Sequence, residues 1–235
     1  MKNLLAVTTI GAIYSIVEAH AASAADLVVH YETKTVSAIE KNIFDEHVSI
    51  QELHILSIES LNEVEVKDIN THLRALTSRF AKRAKICLDS EPGDMWDYKI
   101  EFEKIVQSKN YLTTIFKEQV VCNGKPSQSK QAMTFAIKGG HVITTRLLFN
   151  KIFPSEINLY SVATDDLVRL DHGMFDKLIT DSKTVLHNYD DKCESYLRTS
   201  AYQVWMSGDE LLFFYPEYEQ VYSGCQKEYV IRTRK

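Results

Sequence analysis

The sequence predicts an α+β fold in which antiparallel sheet flanks two main helices, laid out as two similar halves on one core. Three observations predict it. Apolar residues recur at helical spacing in two separate segments. Runs rich in β-branched and aromatic residues lie before, between and after those segments. Most of these runs are joined by connections too short for a crossover, which makes neighbouring strands antiparallel.

The chain opens with Lys2, an apolar stretch from Leu4 to Val17 and a run of small residues around Ala22-Ser23-Ala24. This is the layout of a secretory signal peptide, read here as residues 1–24 with cleavage after Ala24. The competing reading is a retained anchor, but the stretch is broken by Thr8, Thr9, Gly11 and Ser15 and falls short of the roughly 20 residues that span a bilayer. Beyond it, Leu27 to Thr35 and His47 to Ile58 read as strands. The period then changes. Val66, Ile69, Leu73, Leu76, Phe80, Ala84 and Cys87 form one helical stripe, with Asn62 and Glu65 as a capping box ahead of it. Arg79, Lys82, Arg83 and Lys85 gather toward its end, where they complement the helix dipole; the alternative is an anion site.

Glu91-Pro92-Gly93-Asp94 breaks that helix, and Tyr98 to Val106 and Tyr111 to Val121 follow as strands. A polar loop is expected over Asn123 to Lys130, then strands Ala132 to Ile137 and His141 to Leu147 about a Gly139-Gly140 turn. A second stripe comprises Phe175, Leu178, Ile179, Ser182, Val185, Leu186 and Tyr189, with Asp171 as its N-cap and Asp190-Asp191 at its solvated end. Tyr202 to Met206, Leu211 to Tyr215 and Lys227 to Thr233 close the chain as strands. The halves are taken as residues 25–150 and 151–235.

Cys87, Cys122, Cys193 and Cys225 all follow the leader, and an even count in an exported chain reads as disulfides. Of three possible connectivities, Cys87 with Cys122 and Cys193 with Cys225 is preferred, because each pair closes a loop within one half. A zinc site is the competing reading, but these gaps are too long for a Cys-x-x-Cys pattern. The composition, 45% hydrophobic and 25% charged, is that of a globular protein, and a formal charge of -5 argues against nucleic acid as a partner.

The sequence has no Gly-x-Ser-x-Gly elbow, no Gly-x-x-x-x-Gly-Lys and no Gly-x-Gly-x-x-Gly, and no cofactor or metal is expected. The nearest approach to a cluster is Asp165-Asp166 with Asp171-His172, whose plain reading is a polar loop and a helix cap. The aromatic run Phe213, Phe214, Tyr215, Pro216, Tyr218 and Tyr222, with Glu217 and Glu219, has two readings. Strand alternation buries half of it, and the remainder either serves as ordinary boundary core or presents Tyr215, Tyr218 and Tyr222 to a protein or sugar.

Two stretches carry a family resemblance. One is Cys122-Asn123-Gly124-Lys125-Pro126, followed by Met133-Thr134-Phe135-Ala136-Ile137-Lys138-Gly139-Gly140 and Leu147-Leu148-Phe149, where a helix starts in the pattern. The other runs from Tyr202-Gln203-Val204-Trp205 through Phe213-Phe214-Tyr215-Pro216-Glu217-Tyr218, with Gly224 following. Together they resemble the paired domains of unknown function in the extracellular region of the bacterial lysozyme-sensing anti-sigma factor and beside the catalytic domain of a peptidoglycan deacetylase. Asn123 and Lys125 stand where that pattern has glycine and histidine. The resemblance implies a stand-alone, periplasmic or secreted binding module, with a lysozyme-like protein or a peptidoglycan fragment as its partner. Tyr215, Tyr218, Glu219, Tyr222 and Lys125 are the candidate contact residues. Two alternatives stand beside this: an envelope hydrolase built around Asp171 and His172, and a structural envelope protein that pairs through a sheet edge.

Overall fold

Strand periodicity and one long amphipathic stripe build the first half. A computed structural model describes residues 27–36, 47–89, 97–122, 124–153, 160–164, 167–183, 191–208, 211–216 and 220–233. In it β1 (Val29–Val36), β2 (Val48–Ile58), β3 (Asp97–Gln107), β4 (Tyr111–Cys122), β5 (Lys125–Ala136) and β6 (Val142–Ile143) lie in that order in one sheet. Helix α1 (Glu63–Asp89) buries the predicted stripe, Val66 to Cys87, against one face of it. The capping box forms: Asn62 Oδ1 accepts from the Glu65 N–H at 3.0 Å, and Glu65 Oε2 accepts from the Asn62 N–H at 2.9 Å. Gly140, at φ 65°, turns the chain against this helix start, where a Cβ would come within 2.9 Å of the Glu65 carbonyl oxygen. Asn62→Ala is expected to lower stability by about 1 kcal/mol, measured by urea denaturation with the slope unchanged.

One pairing departs from the expected antiparallel order. With α1 as the crossover, β2 and β3 run parallel, paired only at Val48 to Ile50 against Tyr98 to Ile100. Side chains satisfy backbone groups beyond that short ladder. Gln51 Oε1 accepts the Phe102 N–H at 2.9 Å, while Asn70 on α1 bonds both the N–H and the carbonyl of Ile55, at 2.8 and 2.7 Å.

The second half, expected from residue 151, begins earlier, with α2 (Thr145–Ile152), whose Leu148 and Phe149 pack in its core. It continues through β7 (Tyr160–Thr164), β8 (Leu167–Leu170), α3 (His172–Asp181), α4 (Asp191–Thr199), β9 (Ala201–Ser207) and β10 (Leu211–Pro216). A 3-10 turn (Gln220–Cys225) then leads to β11 (Tyr229–Arg232). Its sheet, ordered β11-β10-β9-β8-β7, is antiparallel throughout. Alternation along β9 and β10 divides the side chains: Tyr202, Val204, Met206, Leu212 and Phe214 pack with Phe175, Leu178 and Leu197 of the helices. Trp205, Phe213 and Tyr215 face the first sheet and meet Val106, Ile115 and Ala132. The protein is thus layered as helix, sheet, sheet, helices.

Both preferred disulfides form, Cys87–Cys122 and Cys193–Cys225, each with Cα atoms 5.5 Å apart, and no cysteine is free. The free edge of β11 is closed by α3 and its C-cap: Ser182 Oγ accepts from the Val230 N–H, and Asp181 accepts from the Arg232 N–H. Among the described residues no helix is long and apolar enough to cross a membrane.

Several expectations are corrected. Lys125 to Lys130 is not loop but the first part of β5, continuous with the strand predicted from Ala132. The strand predicted from His141 to Leu147 stops at Ile143, because Thr144 caps α2, its side chain accepting from the Leu147 N–H. Helix α3 starts at its predicted cap, Asp171, but ends at Asp181, and Asp191 opens α4 rather than ending α3. Strands β7 and β8 were not foreseen. The leader over residues 1–24, the break at Glu91 to Asp94, the pair Asp165-Asp166 and Val185, Leu186 and Tyr189 lie outside the described residues.

Candidate functional site

Strand register decides what the first sheet presents to the second half. Lys99 pairs with Gln119 and Gln119 with Gln128, so these three side chains form one row across β3, β4 and β5. The row nearer the β4–β5 turn is Asp97, Val121 and Pro126. In the other direction come Glu101, Lys117 and Lys130, and then Ile115 beside Ala132, which meet Trp205. The face therefore grades from apolar, through charged, to amide-bearing, with Asp97, Val121 and Pro126 at its open end.

A cleft of about 400 Å³ lies at that open end. Its first wall is the two outer rows with Ser127, and its second wall comes from the other half: Tyr215 at the end of β10, with Ser223 and Gln226 at and after the 3-10 turn. Gln226 donates to the Gln128 carbonyl at 3.4 Å, and farther along β5 the Ala132 N–H donates to Gln203 Oε1 at 3.3 Å. These two bonds show that Gln128 and Ala132 turn backbone groups to the edge of β5 away from β4, an edge that its other even-numbered residues share by alternation. Pro126 occupies one such position, where its missing N–H removes a ladder donor. Each wall is pinned by a disulfide. Cys122 ends β4 one residue after Val121, and Cys225 ends the 3-10 turn between Ser223 and Gln226.

Behind the cleft a four-membered charge network joins the halves. Lys130 Nζ lies 2.7 Å from Glu103 and 2.6 Å from Glu228, while Lys104 Nζ lies 2.9 Å from Glu228 and 3.7 Å from Glu103. Glu228 precedes β11, whereas the other three belong to the first sheet, and the Lys130 side chain is only 11% exposed. Burial opposes ionisation of Glu228, but hydrogen bonds from Lys130 and Lys104 outweigh it and hold the carboxyl below its usual range. Burial likewise opposes the Lys130 charge, and its bonds to Glu103 and Glu228 raise it above an ordinary lysine. The ammonium also sits 5.3 Å from the Tyr215 ring centroid, and burial, more than any neighbour, raises that phenol.

The sign of the linkage follows from these directions. A depressed carboxyl adds stability above its unfolded value, near 4.5, and loses it as pH falls through the lower folded value. A raised lysine adds stability below about 10.5 that is lost as pH rises through the higher folded value. Glu228→Gln is therefore expected to cost about 1.5 kcal/mol at neutral pH, as for a hydrogen bond to a charged group. Chemical denaturation below pH 4.5 should show the difference from wild type shrinking as the native carboxyl is protonated.

The residues singled out in the sequence fall in different places. Tyr215 lies in the cleft, but as a buried ring, 5% exposed. Lys125 is exposed at the start of β5, next to Pro126. Tyr222 lies off the cleft, stacked on Tyr196 at 4.9 Å between ring centroids. Tyr218 and Glu219 lie outside the described residues. Asp171 Oδ1 accepts the Met174 N–H as the cap of α3, and His172 Nδ1 is 2.6 Å from the Arg198 guanidinium, which also pairs with Asp176 and Glu194. Arg83, from the basic cluster of α1, pairs with the buried Glu118, which accepts from the Tyr98 hydroxyl as well.

Gln119, Gln128, Asp97 and Lys99 were not anticipated as a group. The missed signal was the Asn-Gly dipeptide in the sequence, a hairpin signature; in the structure Gly124 sits at φ 64° and Cys122 lies opposite Lys125, which sets the register. The amino-acid sequence matches no family model and no curated protein.

Proposed function

We propose that this protein is an exported recognition module that binds a soluble cell-wall fragment in the cleft between its halves. The observation that carries the reading is the cleft itself: a concave site of about 400 Å³, polar and apolar by turns, at the junction of two sheets. The two disulfides support an oxidising compartment, as does the leader read over residues 1–24. The resemblance to the extracellular region of the lysozyme-sensing anti-sigma factor and to the modules beside a peptidoglycan deacetylase domain suggests the ligand class. A concave site of this size suits a small fragment better than the face of a folded protein, which needs roughly 800 Å² of contact on each partner.

Calorimetric titration with soluble muropeptides, and separately with lysozyme, tests this. Muropeptide binding that falls at least tenfold in Ser223→Trp, which fills the cleft from an exposed position, is the expected result. Binding of lysozyme alone would shift the function to a protein-facing surface. Absence of binding to either at high micromolar concentration would overturn the proposal.

A further inference from the structure

We infer, on the reading that the cleft is a recognition site, that it selects a neutral saccharide carrying acetamido groups. Charge comes first. Asp97 and Lys99 are the two ionisable groups of fixed charge among the cleft-lining residues, and they cancel. The Lys99 ammonium is already 2.7 Å from Glu101, and Lys130, deeper in, is engaged by Glu103 and Glu228. Among the described residues that line the cleft no cation lacks a carboxylate partner, and Lys117, in the row behind, stands beside Glu101, so an anionic ligand gains little here.

Hydrogen-bonding capacity comes second. Gln119 and Gln128 stand side by side on one wall with Gln226 opposite, and each amide offers donors and an acceptor on the same planar group. An acetamido substituent presents the complement, one N–H and one carbonyl. Among the described residues the fold itself makes no hydrogen bond with the Gln119 or Gln128 side chain. Ser223 and the Tyr215 phenol add hydroxyls that suit a polyhydroxylated ring. Val121 and Pro126, in the adjoining row, give the acetyl methyl an apolar seat.

The backbone comes third, and it separates sugar from peptide. A peptide would bind most simply as a strand added to the outward edge of β5. That edge is interrupted where it borders the cleft: Pro126 has no N–H to give, and the Gln128 carbonyl already accepts from Gln226. Side chains, not a ladder, are what the cleft offers.

The test is an NMR titration of the disulfide-bonded protein with three probes: an N-acetylglucosamine trimer, the corresponding glucosamine trimer and a muropeptide stem peptide without sugar. The N-acetylated trimer is expected to shift the side-chain amide resonances of Gln119 and Gln128 and to bind at least tenfold more tightly than the other two. Gln119→Leu/Gln128→Leu should lose that binding at least tenfold with an unchanged thermal midpoint. If the double variant misfolds, the wild-type amide shifts decide alone. Equal affinity for both trimers, or binding of the stem peptide in preference, would overturn the inference while leaving a cell-wall recognition site intact. Failure of intact muropeptides as well would overturn both.

Discussion

Trp205→Ala should destabilise the protein by about 3–5 kcal/mol, the range for truncating a large buried aromatic. Trp205 is 1% exposed and stacks on Phe213, its cross-strand neighbour, at an interplanar angle of 5°. With Ile115 and Tyr215 it forms the apolar contact through which the two sheets meet. Neither the α1-side cluster nor the cluster around α2 to α4 contains it, so the cavity opens at the junction and both cores keep their packing. Urea denaturation would show a lower midpoint, and a first transition separating from the second would show that the junction couples the halves. A loss under 1 kcal/mol would mean that the sheets are held mainly by the charge network.

Removing one disulfide is the second large effect. Cys87–Cys122 and Cys193–Cys225 span sequence separations of 35 and 32, and loops of that length restrict the unfolded chain by about 4 kcal/mol each. Cys193→Ala/Cys225→Ala should therefore lower stability by about that amount. It should also free the 3-10 turn that carries Ser223 into the cleft, so affinity for a cleft ligand falls even at temperatures where the variant is folded. Thermal denaturation and calorimetry on the same sample read the two effects separately. Unchanged affinity in a folded variant would show that the turn is held by other contacts, such as the stacking of Tyr222 on Tyr196.

Local rules made much of this fold legible. The stripe from Val66 to Cys87, the Asn62 and Glu65 box and the Asp171 cap are each written within a few residues, and each forms as read. The cysteine pairing was legible too, since loop length separated the connectivities. What escaped was non-local or masked by polarity. The segment Lys125 to Lys130 contains Lys, Pro, Ser and Gln, residues of low strand propensity, yet pairing with β4 along its whole length overrides that preference. Tyr215 was legible as unusual, but not its burial beneath Lys130, a contact between residues on different sheets. The amide row could be found only through register, because no two of its members are neighbours in the chain.

The single parallel pairing has a consequence for the order of assembly. Hairpins β3–β4 and β4–β5 join residues across short turns and can zip soon after the chain reverses, whereas Val48 meets Tyr98 only after the entire crossover has been drawn in. The entropy of closing that long loop is offset by just three paired residues plus the stripe of α1. The docking of β1 and β2 onto the β3–β5 meander is thus expected to be slower than closure of either sheet's hairpins, and refolding kinetics of a variant weakened at Val48 to Ile50 would check it.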